Sequence, residues 1–119
     1  MQLEGQQAVL AALRARKRRF RLICIKNGSH PARSAEVVQE AERLNVPIKY
    51  VAQQELDALA FGRSHGGVVA LCSRKPLLSP ESLDEILAAQ SQPLLLLLEG
   101  VEDAQHLGYL LRTAEALGA

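Results

Sequence analysis

The sequence predicts an α/β fold in which helices cover a largely parallel sheet. Three short apolar runs rich in strand-forming residues, 20–25, 48–51 and 68–72, alternate with stretches of helical character. Such alternation is typical of α/β domains. The composition, 48% hydrophobic and 23% charged, is that of an ordinary globular chain, and a length of 119 residues favours one main domain.

The first half of the chain supplies most of these elements. Apolar residues at helical spacing predict a first helix over residues 5–18, and the strand at 20–25 follows it. Ser34 is the expected N-cap of a second helix that ends near Leu44. The remaining elements, in chain order, are a strand at 48–51, a short helix at 54–59, a glycine-rich loop at 61–67 and a strand at 68–72.

Beyond residue 75 the sequence predicts a linker, a helix, a strand and a final helix. Ser79 as N-cap and Pro80 at the first helical position open a helix that ends near Ala89. Residues 93–98 are so apolar that a strand there must be covered on both faces, and a helix at 104–117 follows. One such strand and one helix cannot bury each other, so we expect the truncated start of a larger domain.

Charge is distributed unevenly along the chain. Up to Lys75 there are 13 basic and 6 acidic residues, a net charge of +7, whereas the remainder has 1 basic and 7 acidic residues, a net charge of −6. This asymmetry predicts two units with different tasks, the first suited to a polyanion. Neither a secretory signal nor a membrane-length apolar run is visible. With Cys24 and Cys72 interpreted as buried free thiols, we expect a cytoplasmic protein.

A basic run at the end of the first helix is the clearest functional signal. Six cations stand within eight residues, and such a cluster favours binding to nucleic-acid phosphates. The alternatives are a solvated helix end, whose cations favour the negative pole of the helix dipole, and a protein-interaction surface with incidental charge. The predicted RNA-binding residues of this run are Arg14, Arg16, Lys17, Arg18, Arg19 and Arg21.

Two further positions carry possible chemistry. Arg63 and His65 of the glycine-rich loop are added to the predicted RNA-binding residues, although a lone histidine is more often structural. Arg112 is the single cation of the second half and stands in the last helix. It is either an ion-pair partner of Glu115 or Glu99, or a group that faces a substrate. The sequence offers no spacing typical of a metal site.

Several motifs together resemble the SpoU (TrmH) family of RNA 2′-O-ribose methyltransferases. Residues 65–70, His-Gly-Gly-Val-Val-Ala, are similar to the segment His-Gln-Gly-Val-Val-Ala that closes the family's substrate-binding domain. Residues 95–103 and 112–118, with Leu107 and Gly108 between them, resemble the first motif of its catalytic domain. Gly5 with residues 8–13 is similar to the family's opening segment.

The resemblance implies a three-layer α/β/α RNA-binding domain at 1–75, similar to ribosomal RNA-binding proteins. A linker and helix at 76–92 and the first β–α unit of a knotted SPOUT domain at 93–119 would follow. The resemblance also implies S-adenosylmethionine as methyl donor, with its binding motifs beyond Ala119, a homodimer formed through the catalytic domain, and an RNA substrate. Ribosomal RNA is the first expectation and transfer RNA the second. Arg112 matches the arginine that, in the family, helps to activate the ribose hydroxyl or to hold a nearby phosphate.

The chain departs from the family pattern at three places. His106 stands where the family has Asn, Asp103-Ala104 replaces Asp-Pro, and Gly66 replaces Gln. We therefore retain His106 beside Arg112 as a candidate catalytic residue. We also keep the alternative that the chain is a noncatalytic RNA-binding module or an inactive member of the SPOUT class.

Overall fold

One four-stranded sheet organises the first of two units, Met1–Leu77, in the computed structural model. The structure describes residues 1–62 and 65–119. The strands are β1 (Gln2–Glu4), β2 (Phe20–Lys26), β3 (Ile48–Val51) and β4 (Val68–Cys72), arranged in the order β1-β4-β2-β3. The second unit is Leu78–Ala119.

The expectation of a largely parallel sheet was wrong. Only β2 and β3 are parallel, whereas β4 runs antiparallel to both β2 and β1. The backbone beside the end of β2 shows why: Lys26 N–H donates to the Gly67 carbonyl at 2.9 Å, and Asn27 N–H donates to the Val51 carbonyl at 2.7 Å. The chain therefore enters β4 at the same end of the sheet where it leaves β3, and β4 must run back.

Three layers are nevertheless present, as the predicted α/β/α fold requires. Helices α1 (Gln6–Ala15) and α2 (Pro31–Arg43) cover one face of the sheet, where Leu13 and Ile23 are fully buried. Helix α3 (Gln53–Leu59) covers the other face through Leu56, which packs with Cys24, Val51 and Val69. Burial raises the pKa of the Cys24 thiol, so this cysteine stays protonated in the core.

Helix α2 begins earlier than predicted. His30 is its N-cap and accepts a hydrogen bond from Ala32 N–H through Nδ1 at 3.4 Å, and Pro31 occupies the first helical position. Proline is favoured there because its fixed φ suits the helix and its missing N–H would have no helical partner. Ser34, the predicted cap, is instead buried inside the helix. Asn45 follows the helix in a left-handed conformation, φ 53°.

The second unit contains two helices, α4 (Pro80–Ala88) and α5 (Ala104–Ala116), close to the predicted bounds. The predicted strand at 93–98 was wrong, since no strand forms in the described residues 78–119. The leucines at 94–97 are 48–92% exposed. A strand exists only through hydrogen bonds to a neighbour, and this unit offers none. Within the described chain, no helix is long and apolar enough to cross a membrane.

Candidate nucleic-acid interface

Two basic segments meet where β2 begins and β4 ends. Ser73 joins them: its N–H donates to the Arg19 carbonyl at 2.8 Å, and its Oγ accepts from Arg19 N–H at 3.0 Å. The Arg18 guanidinium donates to the Ser73 carbonyl at 3.1 Å. Residues 18–21 and 73–75 are therefore held side by side, although more than fifty residues separate them in the sequence.

The local backbone explains how the first segment reaches this position. Arg16 caps the C-terminal end of helix α1, and its left-handed conformation, φ 52°, turns the chain away from the helix axis. Strand β2 then pairs with β4 through a bulge, because Phe20 lies opposite Cys72 and Leu22 lies opposite Leu71. The bulge leaves the exposed Arg21 without an opposite residue on β4.

The joined segments line an open groove of about 960 Å³, here called the basic groove. Five cations line it, and its described lining includes no acidic residue. Its apolar floor comes from Leu71, near the end of β4. The lining residues are Met1, Gln2, Arg18, Arg19, Arg21, Phe61, Leu71, Cys72, Ser73, Arg74 and Lys75.

The groove exists because α3 is short. Seven helical residues extend about 10 Å, whereas the seven residues of β2 extend about 23 Å. Successive side chains of a strand point to opposite faces of the sheet. Ala70 belongs to the core under α1 and α2, so its neighbours Val69 and Leu71 lie on the face that α3 covers. Beyond the cover that α3 provides, this side is open and becomes the floor of the basic groove.

Ion pairing separates the groove cations from three other basic residues of the first unit. Arg14 pairs with Glu36 at 2.7 Å, and Arg43 and Lys49 pair with Glu40 and Glu55. The hydrogen bond from Lys49 to Glu55 raises the pKa of the lysine. In contrast, none of the five groove cations has a carboxylate within 4.0 Å among residues 1–62 and 65–119. No carboxylate therefore neutralises their positive charge in the described structure.

The structure divides the predicted basic run. Arg18, Arg19 and Arg21 line the basic groove, whereas Arg14 lies on α1 in its ion pair. Arg16 and Lys17 are exposed in the turn between α1 and β2. The remaining lining cations, Arg74 and Lys75, were counted in the charge balance but not recognised as site residues. The signal in the sequence that could have identified them is that they form a basic pair shortly after the predicted strand at 68–72.

His65 is buried, with 3% of its surface exposed, and its two nitrogens have different partners. Nδ1 accepts a hydrogen bond from Gly67 N–H at 3.1 Å, so the ring proton is placed on Nε2, which lies 2.7 Å from Asp57 Oδ1. Gly66 and Gly67 both have positive φ, 56° and 85°. His65 thus holds the turn before β4, while Arg63, also predicted to bind RNA, lies outside the described residues.

A second groove, of about 610 Å³, lies at the opposite end of the sheet from the basic groove. It is formed where β2 ends and α2 begins, and Lys26 and Arg33 contribute its cations. His30 and His65 also line it. With two lysine or arginine residues instead of five, this groove is the weaker candidate for a polyanion.

Arg112 and His106 lie on α5, and both are exposed. Asp103 caps this helix by accepting hydrogen bonds from the N–H groups of Gln105 at 2.6 Å and His106 at 2.9 Å. In the part of the chain that the structure describes, Arg112 has no carboxylate within 4.0 Å, so the ion-pair interpretation gains no support.

Comparison with known protein families gives a match to the first unit. Residues 2–78 match the family model described as RNA 2′-O ribose methyltransferase substrate binding. The chain belongs to this family. The match covers the whole sheet, both helical layers and the basic groove, and confirms the resemblance inferred from the sequence motifs.

Individual family relatives are 23S rRNA (guanosine-2′-O-)-methyltransferases named RlmB. The protein from Haemophilus influenzae is 37% identical over 99% of this chain, and those from Vibrio cholerae and Bordetella pertussis are 39% and 38% identical over 96% and 98%. The chain spans about half the length of these relatives, 46–48%. A structure titled a protein with unknown function from Bacillus halodurans aligns with a TM-score of 0.48 at 15% identity, covering 73% of this chain and 80% of its own.

The family implies S-adenosylmethionine, but the second unit does not fit this cofactor. The described residues of this unit include no buried side chain, and its groove beside α5 is shallow, lined by Gly100, Asp103 and His106 among others. A cofactor of this size is normally enclosed on most of its surface. The described residues of the second unit do not form such an enclosure.

Proposed function

We propose that this chain recognises RNA through the basic groove and serves as the substrate-binding part of a ribosomal-RNA 2′-O-ribose methyltransferase. The observation that carries the proposal is the group of five groove cations without acidic partners in the described structure. Lysine and arginine release counterions when they contact phosphates, which supplies most sequence-independent affinity for nucleic acid. The family membership makes RNA the natural polyanion.

The arrangement of the groove favours a phosphate backbone over a single small anion. Its five cations come from two segments that Ser73 holds together, and they line an open groove of about 960 Å³. A polymer can contact such cations with successive phosphates. The Arg18 guanidinium is positioned by its hydrogen bond to the Ser73 carbonyl, and the Arg19 backbone by its hydrogen bonds with Ser73, before any ligand binds. Such preorganisation lowers the entropic cost of binding.

For the whole protein we propose the activity that the names of its relatives describe. The domain organisation in this proposal is an RNA-binding domain at 1–75, a linker and helix at 76–92, and the start of the methyltransferase domain at 93–119. S-adenosylmethionine would supply the methyl group, and Arg112 with His106 would act at the ribose. A homodimer formed through the catalytic domain and a cytoplasmic location complete the proposal, with 23S ribosomal RNA as the favoured substrate.

A pair of double variants tests the RNA-binding proposal. Arg19→Gln/Arg21→Gln removes two groove cations, and Arg43→Gln/Lys49→Gln removes two cations that already have carboxylate partners. Both change the net charge by the same amount. In filter-binding titrations with a 23S rRNA transcript, the groove variant should bind roughly tenfold more weakly or worse at about 100 mM salt, because two phosphate contacts are lost. The control should bind within about twofold of the parent chain.

Equal weakening by the two variants would mean that only the net charge matters and that the groove has no special role. Unchanged binding by the groove variant would overturn the proposal. Circular dichroism of both variants checks that the exposed substitutions leave the fold intact.

A further inference from the structure

Phe61 is an exposed aromatic side chain in the wall of the basic groove. It is 92% exposed, and it lines the groove together with Arg19 and Arg21. The chain has only two Phe and two Tyr residues and no Trp. In the first unit, Phe20 packs against the core and Tyr50 lines a different groove, beside α2.

Two hydrogen bonds hold the backbone at Phe61. Directly before it, Ala60 N–H donates to the Leu56 carbonyl at 3.0 Å and closes α3, and Leu56 is fully buried. Phe61 N–H itself donates to Glu4 Oε1 at 2.5 Å. This hydrogen bond is the main cause that lowers the pKa of Glu4. Phe61 is thus held from the helix and from the first strand, while its ring faces solvent.

We propose that Phe61 is a stacking platform for an unpaired RNA base whose neighbouring phosphates contact the groove cations. This inference rests on the RNA-binding function proposed above and adds the kind of RNA: a strand with at least one base outside a helix. Aromatic rings beside cationic tracks are the usual means of holding single-stranded nucleic acid, because every base has a π-face.

The chemistry of the groove favours this ligand over an acidic peptide. A peptide of carboxylates would use the cations but would leave the Phe61 ring in water. A nucleotide supplies a phosphate for a cation and a flat apolar base for the ring, and so uses both kinds of group. Because the backbone that carries the ring is positioned before binding, little entropy is lost.

RNA that lacks bases separates stacking from phosphate contact. The probes are a single-stranded RNA oligonucleotide of mixed sequence and an oligonucleotide of the same length that is abasic at its central positions. Phe61→Ala should weaken binding of the normal oligonucleotide by roughly tenfold, a loss within the range that stacking on one base contributes. It should leave binding of the abasic oligonucleotide within about twofold, and Phe61→Tyr should restore the lost affinity.

The absence of tryptophan offers a second, direct readout. In Phe61→Trp, the one indole of the chain would lie in the groove, and stacking on a base should quench its fluorescence when the oligonucleotide is added. Tyr50→Trp is the matched control, because Tyr50 is also exposed, at 54%, but lies outside the basic groove. Its fluorescence should stay nearly constant.

The outcomes distinguish this inference from the function on which it rests. If the groove variant Arg19→Gln/Arg21→Gln weakens RNA binding while Phe61→Ala does not, the stacking inference is wrong and RNA binding stands. If polyglutamate displaces the oligonucleotide as efficiently as unlabelled RNA does, the groove is a general acidic-polymer surface and both are overturned. Equal losses for normal and abasic RNA on Phe61→Ala would also contradict stacking.

Discussion

Raising the salt concentration should weaken RNA binding by this chain steeply, and the steepness should follow the number of groove cations. Each phosphate contact releases condensed counterions, so the logarithm of the binding constant falls linearly with the logarithm of the salt concentration. For single strands the slope is about 0.7 for each contact. The perturbation is the removal of groove cations two at a time, beginning with Arg19→Gln/Arg21→Gln.

The structure sets the expected magnitude. Five groove cations, if each contacts one phosphate, give a slope of about −3.5, so a change from about 50 to about 200 mM salt weakens binding about 100-fold. With Arg19 and Arg21 replaced by glutamine, the slope becomes about −2 and the same change weakens binding only about 20-fold. Removing Arg74 and Lys75 should give a similar reduction, because they line the same groove.

Fluorescence anisotropy of a labelled single-stranded RNA, titrated at four or more salt concentrations, measures these slopes. The control Arg43→Gln/Lys49→Gln should keep the slope of the parent chain, because both cations are already paired with carboxylates. The reasoning is refuted if the parent slope is near zero, or if the control and the groove variants lose slope equally.

Three further predictions concern individual residues. The pKa of Glu4 is lowered in the folded chain, so Glu4 should hold the Phe61 N–H at pH values above the ordinary carboxyl pKa of 4.5 and release it as the pH falls through the lower folded pKa. In the Phe61→Trp variant this release should appear as a fall in indole anisotropy, and Glu4→Gln should abolish that fall. His65→Ala should destabilise the first unit by about 1–3 kcal/mol in urea unfolding, since Gly67 N–H loses its buried acceptor; an unchanged midpoint would contradict the assigned role. Arg112→Ala should change the unfolding free energy by less than about 0.5 kcal/mol, and a larger loss would indicate an ion pair.

Periodicity predicted the elements well wherever one face is buried. Helix α1 and strands β2 and β4 lie close to their expected positions because Leu13, Ile23 and Val69 must all be buried. The direction of β4 could not be predicted, since it depends on which end of the sheet the loop before it reaches. Strand β1, three residues long, is too short to give a pattern, and it forms only because it pairs with β4.

The candidate site was predicted in composition but not in shape. The basic run identified Arg18, Arg19 and Arg21 because charge is visible in a sequence. The same run included Arg14, which pairs with Glu36 of α2. Glu36 lies 22 residues further along the sequence, and only the packing of α1 against α2 brings the two side chains together. Phe61 was missed because its exposure follows from the point at which α3 ends.

Amide chemical-shift mapping tests most directly whether RNA occupies the basic groove. The isotope-labelled chain is titrated with a single-stranded RNA oligonucleotide, and the shift of each backbone amide is followed. We expect the largest changes at residues 18–21 and 73–75, with smaller ones at Phe61, and little change at Lys26 and Arg33 in the second groove. Changes concentrated at the second groove, with none at residues 18–21, would contradict the account.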